Sequence, residues 1–186
     1  MRVRLLMLML VVVTLGGKVS AQWSIVPQFS LGVQTLHFPK NNSYNITSGG
    51  GITLGLDFQP RYKLSDNFFI NSGIGLRYVL DSDTSTAGSI SYAPLFIGVR
   101  WGEELYIEGN VGYNLPLNSS GLGYVTGWFA RIGVGLGSDN ISLGASLDLL
   151  HIFGVKTLSY VPAGYLPVEN GTGVSVYLEY GIPLKK

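Results

Sequence analysis

The most restrictive feature of the sequence is an alternation of apolar and polar side chains that recurs in eight separate segments. A period of two residues is typical of β-strands whose two faces meet different environments. Helical periodicity is absent, and glycine recurs inside every segment. Each segment is 11 to 13 residues long, and the eight are 25–37, 51–63, 68–80, 90–101, 105–115, 126–137, 141–153 and 172–184.

The links between these segments alternate between short and long. After the second, fourth and sixth segments they are three-residue turns that begin at Ser65, Gly102 and Ser138 and join antiparallel neighbours. The remaining links are long and polar, and they cover 38–50, 81–89, 116–125 and 154–171. An even number of strands with short turns at one end and long loops at the other is the layout of an outer-membrane barrel.

Charged side chains occupy only one face of the predicted strands. The opposite, apolar face carries no Asp, Glu, Lys or Arg. A charge that faces lipid near the bilayer midplane costs about 2–4 kcal/mol, so a lipid-facing surface requires this exclusion. Besides Lys63, the charges on the polar face are eight residues that we expect to pair as a network inside the barrel: Asp57, Arg61, Arg77, Arg100, Glu108, Arg131, Asp148 and Glu179.

The alternation also fits a soluble, lipocalin-like ligand carrier, in which the apolar face points inward. Two observations oppose this alternative. The apolar face holds more large side chains than an eight-stranded interior can contain, and the polar face is rich in glycine in a chain with only 12% charged residues, unlike a solvated surface. We therefore predict an all-β, eight-stranded antiparallel up-and-down transmembrane β-barrel with a filled lumen and little or no pore activity.

Residues 1–21 have the pattern of an export signal. Two arginines precede an apolar run at 5–15, and a small-residue cleavage site ends at Ala21. As a helix this run would rise about 16 Å, too little for a hydrocarbon core of roughly 30 Å. We expect a signal peptide at 1–21, a barrel domain at 22–186, and a location in the outer membrane of a Gram-negative bacterium.

Aromatic residues gather near both ends of the predicted strands, as expected for girdles at two membrane interfaces. Near the short turns they are Trp23, Tyr62, Phe68 and Trp101. Near the long loops they are Tyr78, Tyr113, Trp128 and Phe153.

Candidate catalytic and metal-binding groups are few. His37 and His151 end two strands that lie about 10 Å apart in a closed barrel, too far to share a metal ion. Neither histidine belongs to the His-x-Ser pair that lipid A deacylase barrels carry, although Ser159 lies in the loop that follows His151. The chain has no cysteine, which excludes disulfides and thiolate metal sites. We expect no cofactor and no enzymatic activity, with a lipid-modifying barrel enzyme as the alternative.

The expected partners follow from charge and from the longest loop. A net charge of +1 and the absence of a basic stripe argue against binding nucleic acid. Loop 154–171 carries apolar residues, of which Val161, Tyr165 and Leu166 are candidates for contact with an extracellular partner. The alternative is that this loop covers the barrel mouth as a lid. Outer-membrane lipid is the other expected partner, and we expect a monomer.

The fourth predicted strand contains the run Tyr92-Ala93-Pro94-Leu95-Phe96-Ile97-Gly98-Val99-Arg100. Its proline predicts a bulge, because proline cannot donate to a sheet ladder. With the signal peptide and the eight glycine-spaced strands, this run resembles the small outer-membrane β-barrel (porin-like) family common in Bacteroidota. The resemblance implies a structural or interaction role. Members usually end in an aromatic residue, whereas this chain ends with 181–186 and has its last aromatics at Tyr177 and Tyr180.

Overall fold

The alternating segments identified in the sequence all form strands. The structure, a computed structural model, describes residues 23–39, 48–81, 89–117, 123–138, 140–150 and 166–184. The eight wall strands are β1 (Trp23–His37), β2 (Ser48–Ser65), β3 (Phe68–Asp81), β4 (Ile90–Trp101), β5 (Leu105–Pro116), β7 (Gly127–Gly137), β8 (Ile141–Leu150) and β10 (Asn170–Tyr180). The described residues also form three two-residue strands: β6 (Gly123–Tyr124), β9 (Leu166–Pro167) and β11 (Ile182–Pro183).

The wall closes on itself. Each wall strand pairs antiparallel with the next one along the chain, and β10 pairs with β1, so the predicted antiparallel up-and-down barrel is confirmed. If register partners are followed from strand to strand around the wall, starting at Ser24 of β1, the path returns to β1 at Gln34, ten residues further along. A stagger of this size in eight strands requires a strand tilt of roughly 40°. No helix in the described residues is long and apolar enough to cross a membrane.

The two faces of the wall separate as the alternation predicts. On β8, for example, Leu147 is 41% exposed on the outside, whereas its neighbour Ser146 is 6% exposed and faces inward. Among the described residues, no outward-facing strand position carries Asp, Glu, Lys or Arg. This arrangement is the reverse of a soluble lipocalin-like carrier, whose apolar side chains line the interior.

Aromatic side chains mark both ends of the outer wall. At the short-turn end, which we call the lower girdle, the rings of Trp23 and Tyr62 lie 4.9 Å apart and Phe68 pairs with Trp101. At the long-loop end, the upper girdle, Tyr113 and Trp128 meet edge to face at 5.7 Å. Tyr78 lies on the same outer face.

The upper girdle was also predicted to include Phe153, which lies outside the described residues, as do the predicted signal peptide and the last three residues of the predicted segment 141–153.

The predicted bulge at Pro94 is wrong. Pro94 pairs with Asn114 in an unbroken β4–β5 register, and the β3–β4 register is the same on both sides of the proline. Proline therefore removes a hydrogen-bond donor here without inserting an extra residue. The register shift lies instead between Lys63 and Ser65 on β2, next to the first short turn.

The lipid-facing assignment predicts a strong depth dependence on β8. Leu147→Arg, between the two girdles, should destabilise the protein folded in bilayers by about 2–4 kcal/mol, because the charge would meet the hydrocarbon core. Urea titration of the protein in phosphatidylcholine vesicles measures this difference.

Ile141→Arg is the matched control, since it lies on the same face of the same strand but at the short-turn end. It should cost only about 0–1 kcal/mol near the interface. Equal stability of the two variants would show that this face does not meet a hydrocarbon core.

Candidate functional site

The buried ion pairs nearest the short-turn end form a lower cluster of four residues, Arg61, Arg100, Glu108 and Glu179. Glu179 accepts hydrogen bonds from Arg61 Nη2 at 3.1 Å and from Arg100 Nη1 at 2.8 Å. Ser142 Oγ donates a third bond to Glu179, at 2.8 Å. The ion pair between Glu108 and Arg61 is longer, at 3.7 Å. Two cations and two anions make this cluster electrically neutral, and all four side chains are buried.

A second, upper cluster lies further toward the long loops and consists of Asp57, Arg77, Arg131 and Asp148. Arg77 donates from both terminal nitrogens to the two carboxylate oxygens of Asp57, each at 2.6 Å. Arg131 bridges the two acids, because it donates to Asp57 at 2.9 Å and also to Asp148. This cluster is also neutral, and the two-pronged Arg77 contact is the strong geometry for an arginine–carboxylate pair.

Between the two clusters lies a belt of amide side chains, Gln28, Gln59, Asn71 and Asn110. Asn71 donates to Gln59 at 3.3 Å and to Asn110 at 3.1 Å, and Gln59 donates to Gln28. Asn110 in turn donates to Glu108 at 2.7 Å, which joins the belt to the lower cluster. These amides are not among the predicted site residues, although their inward-facing positions in the alternation identify them as lumen residues.

Above the upper cluster, the long-loop end of the lumen is closed by apolar side chains, which we call the apolar cap. Wall and loop residues contribute to it: Leu36, Phe38, Val79, Ile90, Tyr92, Phe96, Val125, Phe129, Leu150 and Val168. Val125 and Val168 come from two different long links, which pair as the parallel strands β6 and β9. Val168 N also donates to Tyr124 O at 3.0 Å. These two links therefore hold each other across the mouth of the barrel.

Two buried tyrosines lie against glycines of the β7–β8 wall. A Cβ atom built at Gly135 would lie 2.3 Å from the ring of Tyr106, and one at Gly144 would lie 2.4 Å from the ring of Tyr177. On its other side the Tyr106 ring carries the Arg100 guanidinium, 3.3 Å from the ring centroid. The glycines thus make room for aromatic rings that pack against the charged network, in a cation–π arrangement for Arg100.

The structure brings the eight predicted lumen residues together in these two clusters. Lys63 stays apart at the short-turn rim, where its Nζ lies 3.6 Å from Asp66 and 3.9 Å from Glu103.

Of the candidates outside the lumen, the structure describes His37 and part of the contact loop. His37 is exposed at the end of β1, and His151 and Ser159 lie outside the described residues. Of the candidate contact loop, Val161 and Tyr165 are likewise not described, while the backbone of Leu166 forms part of β9. Within the parts of the chain that are described, no group of three or more His, Asp or Glu residues could hold a metal ion.

Comparison with solved structures identifies barrels of the same fold. Ail, the attachment invasion locus protein of Yersinia pestis in complex with the heparin analogue sucrose octasulfate, has a TM-score of 0.52 at 9% identity. Neisserial surface protein A (NspA) has a TM-score of 0.52 at 12% identity. Each match covers 87% of this chain and 99% of the other chain. The likeness therefore concerns the fold, that of a small eight-stranded outer-membrane β-barrel. No protein-family model matches the sequence, and a search of curated proteins gives no significant match.

The lower cluster predicts unequal roles for its two acids. Glu179→Ala removes the acceptor shared by Arg61 and Arg100 and should cost about 3–5 kcal/mol, because buried Arg100 loses its carboxylate partner and Arg61 keeps the longer ion pair with Glu108. Glu108→Ala breaks one long ion pair and an amide contact, so its cost should be clearly smaller. Urea unfolding of both variants in vesicles measures the difference, and a larger loss for Glu108→Ala would contradict this hierarchy.

The packing of Tyr106 predicts that glycine is required where a side chain would point at its ring and is dispensable where a side chain would point away from it. Gly135→Ala should cost about 1–3 kcal/mol, because the new methyl group overlaps the Tyr106 ring and forces repacking. Gly109→Ala is the matched control, since a Cβ built there meets nothing within 4 Å. Thermal or urea unfolding compares the two, and indistinguishable midpoints would show that the ring is free to move away.

Proposed function

We propose that the protein is an outer-membrane β-barrel of a Gram-negative bacterium, with a structural or interaction role and a plugged lumen that passes little or no solute. The observation that carries the proposal is the separation of charge between the two faces of one closed wall. The outward face carries apolar side chains between two aromatic girdles, as a hydrocarbon environment requires. The inward face carries two neutral ion clusters.

The lumen supports a plug because its contents leave little free space. An interior of eight strands is just wide enough for side chains, and here large rings and paired charges fill it from the lower cluster to the apolar cap. Opening a path would require separating buried ion pairs, which is costly when either partner is left alone.

The same contacts favour a non-enzymatic role over a lipid-modifying enzyme. Asp57 and Glu179 are each engaged in ion pairs with two arginines, and they lie inside the wall, below the apolar cap. A lipid-modifying enzyme instead needs an acid or nucleophile at a surface that lipid can reach.

The long-loop end is the proposed interaction surface. We place an export signal at 1–21, as in porin-like barrels of the Bacteroidota type, and a monomer in the membrane. Loop 154–171, with Val161, Tyr165 and Leu166, is the proposed contact with an extracellular partner. Ail, a barrel of the same fold, binds sucrose octasulfate, which supports an interaction role for this architecture.

Fractionation followed by bilayer recording tests the proposal. The protein should separate with the outer membrane and migrate differently on gels before and after heating, because a closed barrel resists detergent. Reconstituted in planar bilayers, the same purified protein should give no steady conductance, since the lumen is filled.

Leu147→Arg, which should impair insertion, serves as a control for the fractionation. Recovery of the parent protein in the soluble periplasm would overturn the membrane location. A stable, ion-selective conductance would overturn the plug and favour a porin function.

A further inference from the structure

An apolar furrow with a volume of about 820 Å³ crosses the outer wall of the barrel. Its upper edge is a row of large side chains that are register partners from β2 to β7. In order around the wall they are Phe58, Ile74, Leu95, Tyr113 and Trp128. The row ends at the Tyr113–Trp128 pair of the upper girdle.

The lower edge of the furrow is a second row of residues, two positions nearer the short turns on each strand. It contains Pro60, Ser72, Ile97 and Val111, so two of its members are small. Between the two rows the floor is formed at Gly73, Phe96 and Gly112, which are register partners with inward-facing Cβ directions. The small outward side chain of Ser72 lies beside this floor.

The direction of the furrow matches one leaflet of a bilayer. From Trp128 to Phe58 it follows four strand spacings, about 19 Å. Strands tilted by roughly 40° make the hydrogen-bonding direction oblique to the membrane normal. A chain lying in the furrow therefore descends from the upper girdle through about half of a hydrocarbon core of roughly 30 Å. No lining residue is charged.

We propose that this furrow binds one acyl chain of a membrane lipid whose headgroup lies at the long-loop end. The inference rests on the proposed membrane location. A shallow, uncharged furrow that begins at an aromatic girdle accepts a thin, flexible hydrocarbon chain along its length. A second copy of the barrel would present a convex wall, which fits an elongated depression less well than a flexible chain does. The partner is therefore a lipid chain, held longer than the lipids that cover the rest of the wall.

The proposal is tested by placing a larger side chain in the furrow and measuring how many lipid molecules the folded protein retains. The barrel is folded into palmitoyl-oleoyl phosphatidylglycerol vesicles, extracted with detergent and examined by native mass spectrometry. The parent protein should retain one lipid. Ser72→Phe places a ring in the furrow and should lower the retained fraction about tenfold, the factor produced by 1.4 kcal/mol of lost binding. Ala145→Phe, outward-facing on β8 and outside the furrow, should retain lipid like the parent.

Heat-dependent gel mobility shows whether each variant has folded. Ser72→Leu places a smaller side chain in the furrow than Ser72→Phe does and should give an intermediate loss of retained lipid. Equal retention by the parent and both folded Ser72 variants would overturn the acyl-chain site, as would a parent that inserts into vesicles but retains no lipid. A dimer that dissociates in Ser72→Phe would assign the furrow to a second copy instead. Failure of the parent to insert into vesicles would overturn the membrane location itself, a result distinct from the others.

Discussion

Closure of the sheet is the constraint on which the rest of the structure depends. A β-sheet in hydrocarbon has no water to satisfy its edge groups, so every backbone donor and acceptor needs a partner within the wall. The pairing of β1 with β10 over ten consecutive register positions meets this need. Closure with eight strands also fixes a narrow interior, and that width determines which side chains the lumen can hold.

A narrow lumen explains why the interior charges form two neutral groups. A buried ion is stable only when it is paired and its remaining hydrogen-bonding groups are satisfied. Glu179 meets this need with partners from three other strands, and Asp57 does so with Arg77 and Arg131. The amide belt between the clusters offers both donors and acceptors, so it continues the hydrogen-bonded network without adding net charge.

Glycine connects the properties of the two faces. On the inside, Gly135 and Gly144 leave room for the rings of Tyr106 and Tyr177, which a longer side chain would displace. On the outside, Gly73 and Gly112 flank Phe96 and form part of the furrow floor. The same residue type thus permits large side chains in a small lumen and forms part of a depression in the outer face of the wall.

The sequence by itself determined the fold class, because a period of two residues predicts β-strands with two different faces. The confinement of charged side chains to one face also predicts which face of each strand points into the barrel. It also identified the lumen residues, since inward positions follow from the alternation. It could not assign their partners: Arg61 and Glu179 are 118 residues apart and meet only because the closed wall carries a stagger of ten residues.

The wrong prediction of a bulge at Pro94 also arose because the sequence does not show how neighbouring strands pair. A missing donor is visible in the sequence, but whether the ladder absorbs it or bulges depends on the neighbouring strands. The apolar cap and the outer furrow were likewise decided by tertiary structure, because each combines residues from several strands or links whose relative heights are set only by closure.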